Sequence, residues 1–233
     1  MPRKPRMYMG GIPCHVIQRG NNRDACFYSE SDYQFYLNHL GKACRRYGVK
    51  LHAYVLMTNH THILITPEDE SGISRVMQSL GRCYVQYINK TYGRTGTLWE
   101  GRHKGSLVDG DNYLLACHRY IELNPVRAGM VNRPEEYCWS SFRSNAYGDI
   151  NKWLTPHDLY LALGESTNLR LERYRSLFDS KLDKKLVEEI RRAAGFSMPL
   201  GSSLFQLRVE KILGRGVGYA SRGRPRNSLG KCK

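Results

Sequence analysis

His60 and His62 stand two residues apart in the run Thr58-Asn59-His60-Thr61-His62-Ile63-Leu64-Ile65. The stretch 61–66 is β-branched and apolar, the composition of a strand. On a strand, residues i and i+2 project to the same side, so both imidazoles converge on one spot. Neutral imidazole nitrogens are good ligands for a divalent metal ion. The bland alternative is a chance pair of packed or surface histidines, since the chain holds 8 His. The apolar flank favours the ligand reading, because a strand seated inside a sheet holds its ligands rigidly.

Two imidazoles do not complete a coordination shell. Asn124, in Tyr120-Ile121-Glu122-Leu123-Asn124-Pro125, offers an amide oxygen. Mixed nitrogen and oxygen ligation suits Mg²⁺ or Mn²⁺, with water and substrate phosphate completing the shell. No carboxylate or thiolate stands at a spacing that suits zinc. Tyr120 lies four residues before Asn124, on the same face if the segment is helical. A tyrosine hydroxyl there can attack phosphorus, and a covalent phosphotyrosine conserves the energy of the broken bond for rejoining. With a free pKa of about 10, the phenol needs help at neutral pH, which a metal gives by neutralising charge in the transition state. The chain has 16 Tyr, most of which must be packing aromatics. Tyr113, seven residues earlier, is the rival nucleophile, but its place at the helix start suits a packing role. His118 points elsewhere and reads as structural.

The elements that must position these groups follow from periodicity. Residues 12–19 read as a strand and 20–23 as a polar loop. Residues 31–47 carry apolar side chains at helical spacing. Residues 49–57 form a second strand, and Thr58-Asn59 turns the chain into the histidine strand. A second long helix spans 71–92. Residues 102–108 are a fourth strand, and 111–123 a third helix that ends near Asn124, because Pro125 disfavours helical geometry in the residue before it. The order predicts an α+β fold, ferredoxin-like in plan, with a mainly antiparallel four-stranded sheet. After Trp139 the character changes. Residues 153–156 read as a linker, and helices are expected over 156–163, 169–180, 182–194 and 204–213. The expected organisation is a catalytic unit over 1–150, a helical DNA-binding region over 151–214 and a flexible tail over 215–233.

Charge points to the partner. The 233 residues carry a formal net charge of +15, which suits nucleic acid or an anionic membrane surface. No apolar run approaches bilayer-spanning length. The basic start, 1–6, is not followed by a signal-peptide segment. The expectation is a cytoplasmic, nucleoid-associated protein. From Gly164 onward 16 Lys and Arg face 7 Asp and Glu, and no acid follows Glu210. Arg19, Asn21, Asn22 and Arg23 form a polar cluster that can bind phosphates or base edges, or simply face solvent. Arg102 and Lys104 invite the same two readings. In the tail, Arg222-Gly223-Arg224-Pro225-Arg226 looks like an AT-hook, with Arg222 and Arg224 entering a narrow minor groove. Cys14, Cys26, Cys44, Cys83, Cys117, Cys138 and Cys232 are scattered, with no C-x-x-C pair, so neither a disulfide framework nor a zinc knuckle is expected.

Together, His60-Thr61-His62, Tyr120 with Asn124, and Asn124-Pro125-Val126-Arg127-Ala128-Gly129 resemble the REP-associated tyrosine transposases. These are single-tyrosine members of the HUH nucleases, named for His, a bulky apolar residue, His. Thr61 departs from the middle letter, at a side chain that should point away from the metal. The opening His15-Val16-Ile17-Gln18-Arg19-Gly20-Asn21-Asn22 is also family-like, and the resemblance spans about residues 9–142. It implies a metal-dependent endonuclease and strand transferase for single-stranded DNA, cutting beside short palindromic REP-like hairpins. His60, His62 and Asn124 would bind Mg²⁺ or Mn²⁺. Tyr120 would join the 5′-phosphate and release a free 3′-hydroxyl. The basic C-terminal region would hold the hairpin stem, and the protein would act as a monomer or homodimer. The competing reading is a non-catalytic DNA- or RNA-hairpin-binding protein in which the His pair is inert.

Overall fold

The computed structural model describes residues 6–217. Four strands, β1 (Cys14–Arg19), β2 (Val49–Met57), β3 (His60–Pro67) and β4 (Lys104–Leu107), form one sheet of order β2-β3-β1-β4. Every neighbouring pair is antiparallel, as the element order predicts for a ferredoxin-like plan. β1 and β3, which carry the chemistry, are the central strands, so both have their backbone groups paired on each side. β4 is shorter than the expected 102–108.

Strand alternation divides the sheet into two faces. Cys14, Val16, Ile63, Ile65, Leu51 and Leu56 point to one core, covered by α1 (Glu30–Arg46) and α2 (Gly72–Thr91). Ser29 caps α1 in a reciprocal box with Asp32, whose Oδ2 accepts from Ser29 N at 2.9 Å; this settles orphan donors of the first turn. Ala53, Val55, Met57 and Leu64 point to the opposite core, covered by α3 (Gly110–Glu122) through Leu114, Cys117, Tyr120 and Ile121. The spacing of those four along α3 is that of a single helical stripe. His60 and His62 lie in register with Leu64 and therefore face α3.

α3 ends just before Asn124, as the proline suggests. Leu123 caps it, and α4 (Asn124–Arg127) follows directly, with Arg127 N bonded to Leu123 O at 2.9 Å. Pro125 sits in the first turn of α4, where its missing N–H costs nothing. The chain thus breaks at Leu123 and starts a new short helix.

The C-terminal half packs onto the same body. Segment 153–156 does more than link, because Thr155 N donates to Leu51 O at 2.7 Å and Leu154 bridges β2. Before this segment comes α5 (Phe142–Tyr147), absent from the sequence reading, and after it α6 (Asp158–Leu161), α7 (Thr167–Ser176), α8 (Lys184–Phe196) and α9 (Ser203–Leu213). Ile190 and Ala193 of α8 join the core beneath α3. No helix among the described residues is long and apolar enough to cross a membrane. Cys14, Cys26, Cys44 and Cys117 are buried free thiols, in line with the absence of a disulfide pattern.

Glu122 fixes the C-terminal helices to α3. It is fully buried. Its Oε1 accepts from Ser141 Oγ at 2.5 Å and Asn145 Nδ2 at 2.8 Å, and its Oε2 from Tyr174 Oη at 2.6 Å. Burial pushes its pKa up to about 7, against the pull of the Ser141, Tyr174 and Asn145 hydrogen bonds. Glu122→Ala strands three buried donors and is expected to cost about 3 kcal/mol or more in urea denaturation. Glu122→Gln keeps the shape: its amide oxygen can accept from Ser141 and Asn145 and its NH₂ can donate to Tyr174, so the loss should stay near about 1 kcal/mol. Equal losses for the two variants would contradict this account.

Candidate active site

The histidine pair sits where β3 leaves its turn. His60 lies opposite Arg19 of β1 and Met57 of β2, and His62 opposite Ile17 and Val55. The two ring centroids are 5.0 Å apart. Same-side projection places both rings beneath the end of α3, while Thr61 is turned into the other core and fully buried. The departure from the HUH letter thus falls on a side chain that takes no part in the site.

Each ring is held through one nitrogen. Asn59 Nδ2 donates to Arg23 O at 2.9 Å, which orients its Oδ1 toward His60 Nδ1 at 2.7 Å. That contact makes Nδ1 the protonated nitrogen of His60 and leaves Nε2 as a lone pair. His62 Nδ1 lies 2.9 Å from His15 Nε2 of β1; the tautomer with the proton on His62 Nδ1 frees its Nε2. His62 is buried, and His60 half-buried. Burial holds His60 at about 4, with Arg19 adding to the shift. It holds His62 well below its ordinary value, helped by His15, His60, Arg127 and Arg19. Neutral rings at physiological pH are the protonation state a metal requires.

Tyr120 joins this corner. Its ring centroid lies 5.8 Å from those of His62 and His15, edge-on to both. The Arg127 guanidinium carbon stands 4.0 Å from the same ring centroid. Tyr113 is elsewhere. It sits nearly two turns earlier on α3, about 10 Å along the axis, with Glu189 of α8 and Asp109 as its charged neighbours. Asn124 follows Tyr120 by one turn, is half-buried, and keeps a buried Nδ2 without a hydrogen-bond partner. His118 hydrogen-bonds Tyr174 Oη at 3.2 Å, away from the pair.

Imidazole nitrogens and an amide oxygen are donor types that divalent cations accept. Among the described residues no three His, Cys, Asp or Glu side chains are grouped to hold a metal.

Basic side chains rim the site. Arg19 is exposed at the end of β1 beside His60. The next residues form a tight 3-10 turn, Asn21–Arg23, in which Asn22 (φ 52°) and Arg23 (φ 63°) both adopt left-handed backbone. For arginine this is a costly conformation. It is held by Asn21 N on Leu98 O at 2.9 Å and by the Asn59 amide, so the polar loop and His60 share one anchor. Lys104 starts β4 opposite Ile17, and Arg102 is exposed just before it. Arg222 and Arg224 lie outside the described residues.

The sequence alone did not reveal His15, Asn59 or Arg127 as parts of the corner. His15 alternates with Ile17 and Arg19 on β1, a signal that becomes informative only once β1 is known to pair with β3.

The family described as "Transposase IS200 like" matches residues 9–124. A solved REP-associated tyrosine transposase, bound to a REP hairpin, superposes with a TM-score of 0.54 at 20% identity, covering 67% of this chain and 93% of that one. At that identity the likeness is one of fold. A crystal structure of a candidate transposase from Deinococcus radiodurans R1 matches with a TM-score of 0.36 and 18% identity, over 52% of this chain and 96% of that one. No curated protein matches the sequence.

Proposed function

As the chain belongs to the IS200-like transposase family of DNA-cleaving tyrosine enzymes, we propose that it nicks and rejoins single-stranded DNA beside REP-like hairpins through Tyr120. The observation that carries this reading is the shared corner: the Tyr120 ring packs edge-on to His62, whose ring centroid lies 5.0 Å from that of His60. His60, His62 and Asn124 would hold a Mg²⁺ or Mn²⁺ ion. When bound, that ion polarises the phosphate oxygens and neutralises charge in the transition state. Asn59 and His15 lock the two rings in the orientation that presents Nε2.

The chemical step belongs to Tyr120. Its Oη bonds to phosphorus as the P–O3′ bond breaks. The bond's electron pair goes to the 3′ oxygen, which takes a proton from solvent, while the phenolic proton passes to solvent. The DNA is left with a free 3′-hydroxyl and its 5′-phosphate on the enzyme. Attack by a 3′-hydroxyl reverses the step, which is how one site both cuts and transfers. Residues 1–150 form the catalytic unit. The basic helices over 151–214 grip the hairpin stem, and Arg19, Asn21, Asn22, Arg23, Arg102 and Lys104 contact the strand entering the site. The AT-hook-like Arg222 and Arg224 add minor-groove contacts. The protein works on DNA in the cytoplasm.

Incubation with labelled single-stranded hairpin DNA and Mn²⁺, followed by denaturing electrophoresis, tests this. A protein-linked product is expected with Mn²⁺ or Mg²⁺ and none with chelator. His62→Ala should remove it, because the buried ligand has no substitute. Hairpin binding without cleavage under any metal would favour the non-catalytic reading. Cleavage of the RNA version alone would make the enzyme an RNA-processing one, since the 2′-hydroxyl distinguishes the two.

A further inference from the structure

Arg127 is half-buried, and its guanidinium has no counter-charge. Its Nε and Nη1 are shielded from solvent and make no hydrogen bond. No carboxylate of the described residues forms an ion pair with it. The groups that face it are the Tyr120 ring, the neutral His15 and His62, and a second cation, Arg191 of α8. Shielding part of a guanidinium from water carries a cost that an anion would repay. The cation–π contact with Tyr120 offsets some of it. The neighbourhood is built for a charge that arrives with the ligand.

The position says which charge. α4 follows α3 directly through Leu123, and Arg127 packs back onto the Tyr120 ring. The proposed nucleophile and the guanidinium are therefore in contact beside the histidine pair. A planar guanidinium fork matches two non-bridging phosphate oxygens.

We infer that Arg127 is a catalytic residue, forming a phosphate subsite that receives the scissile phosphodiester and holds its non-bridging oxygens while Tyr120 Oη bonds to phosphorus and the P–O3′ bond breaks. The inference rests on the Tyr120 reading above but makes a separate demand. The fork stabilises charge that builds on the non-bridging oxygens, and later grips the phosphotyrosine until a 3′-hydroxyl attacks it.

The test uses the full chain and three measurements. In Mn²⁺ with labelled hairpin DNA, Arg127→Met is expected to slow adduct formation by about 100-fold, the loss typical of a removed transition-state donor. Arg127→Lys should recover part of that rate, and Mn²⁺ affinity should not change. In thermal melting without DNA, Arg127→Met should be as stable as the parent or more so, because an unpaired, partly shielded charge is gone; a structural arginine would show a loss. In NMR titration with dimethyl phosphate, the Arg127 Nε–H resonance should shift in the parent protein. An unaltered adduct rate in Arg127→Met, a lowered melting temperature, or an unmoved resonance would each overturn the assignment. Absence of any adduct with the parent protein would instead refute the Tyr120 reading, and the dimethyl phosphate titration would still decide whether Arg127 binds phosphodiesters.

Discussion

Tyr120→Phe is expected to eliminate the covalent protein–DNA product altogether while leaving hairpin binding within about twofold of the parent. The substitution removes one oxygen and keeps the ring, which is buried against His15 and His62 with the Arg127 guanidinium over it. Packing and the cation–π contact survive, so the fold and the DNA-binding surface should not change. What disappears is the only atom that can bond to phosphorus from this ring. No partial activity is expected, because the covalent step has no slower version without the hydroxyl. Tyr113→Phe is the matched control. Its ring faces Glu189 of α8, and the variant should form adduct at the parent rate. Denaturing electrophoresis of both variants with one hairpin decides the matter. An adduct persisting in Tyr120→Phe, or vanishing in Tyr113→Phe, would mean that the corner has been assigned to the wrong tyrosine.

Acid should unfold this protein at a pH where most globular domains are comfortable. Three histidines remote from the proposed metal site are buried and neutral. Burial holds His52 at about 4, His103 at about 3 and His118 at about 3, against an ordinary 6.5. Their partners suit the uncharged ring. His52 Nδ1 donates to Thr155 O at 2.7 Å, and its Nε2 accepts from Thr66 Oγ1 at 2.8 Å. The Nε2 atoms of His103 and His118 are buried with no partner. Each folded-state pKa lies below the unfolded one. The stabilisation is therefore complete above pH 6.5 and drains away as pH falls toward the folded values. Glu122 works in the opposite sense: its pKa is raised from 4.5 to about 7, so folding gains stability as pH falls across that range. Between pH 6.5 and 4.5 the histidines give up about 7 kcal/mol and Glu122 returns about 2, a net loss of about 5 kcal/mol. That is comparable with the whole stability of a small domain. Urea denaturation at pH 7.5, 6.5, 5.5 and 4.5 should show the midpoint falling steeply below pH 6.5. His103→Phe, which keeps the stacking on Tyr8, should flatten that slope by one proton. A midpoint indifferent to pH would show that these rings are hydrated in solution.

Local periodicity was enough to predict much of this molecule. The two-residue repeat of a strand put His60 and His62 on one side, and the four-residue repeat of a helix put Tyr120 and Asn124 on one face. Those relations are fixed by backbone geometry within a few residues, so a single segment carries them. The order of strands and helices likewise implied the antiparallel sheet, because short connections favour neighbours. The +15 charge announced a polyanionic partner without any folding at all. The pairing of β1 with β3 is another matter. It brought His15 against His62 across 47 positions of sequence, and no local pattern encodes a strand register. The same holds for Glu122, whose partners Ser141, Asn145 and Tyr174 come from elements that meet only when α5 and α7 dock. Pro125 marked the end of α3 correctly, but the short helix that restarts at Asn124, with the proline in its first turn, was not read from the sequence. Which side chains could do chemistry was thus written in short-range spacing. Which of them touch, and which half-buried charge is left waiting for a ligand, was decided by long-range packing, where desolvation sets the energies.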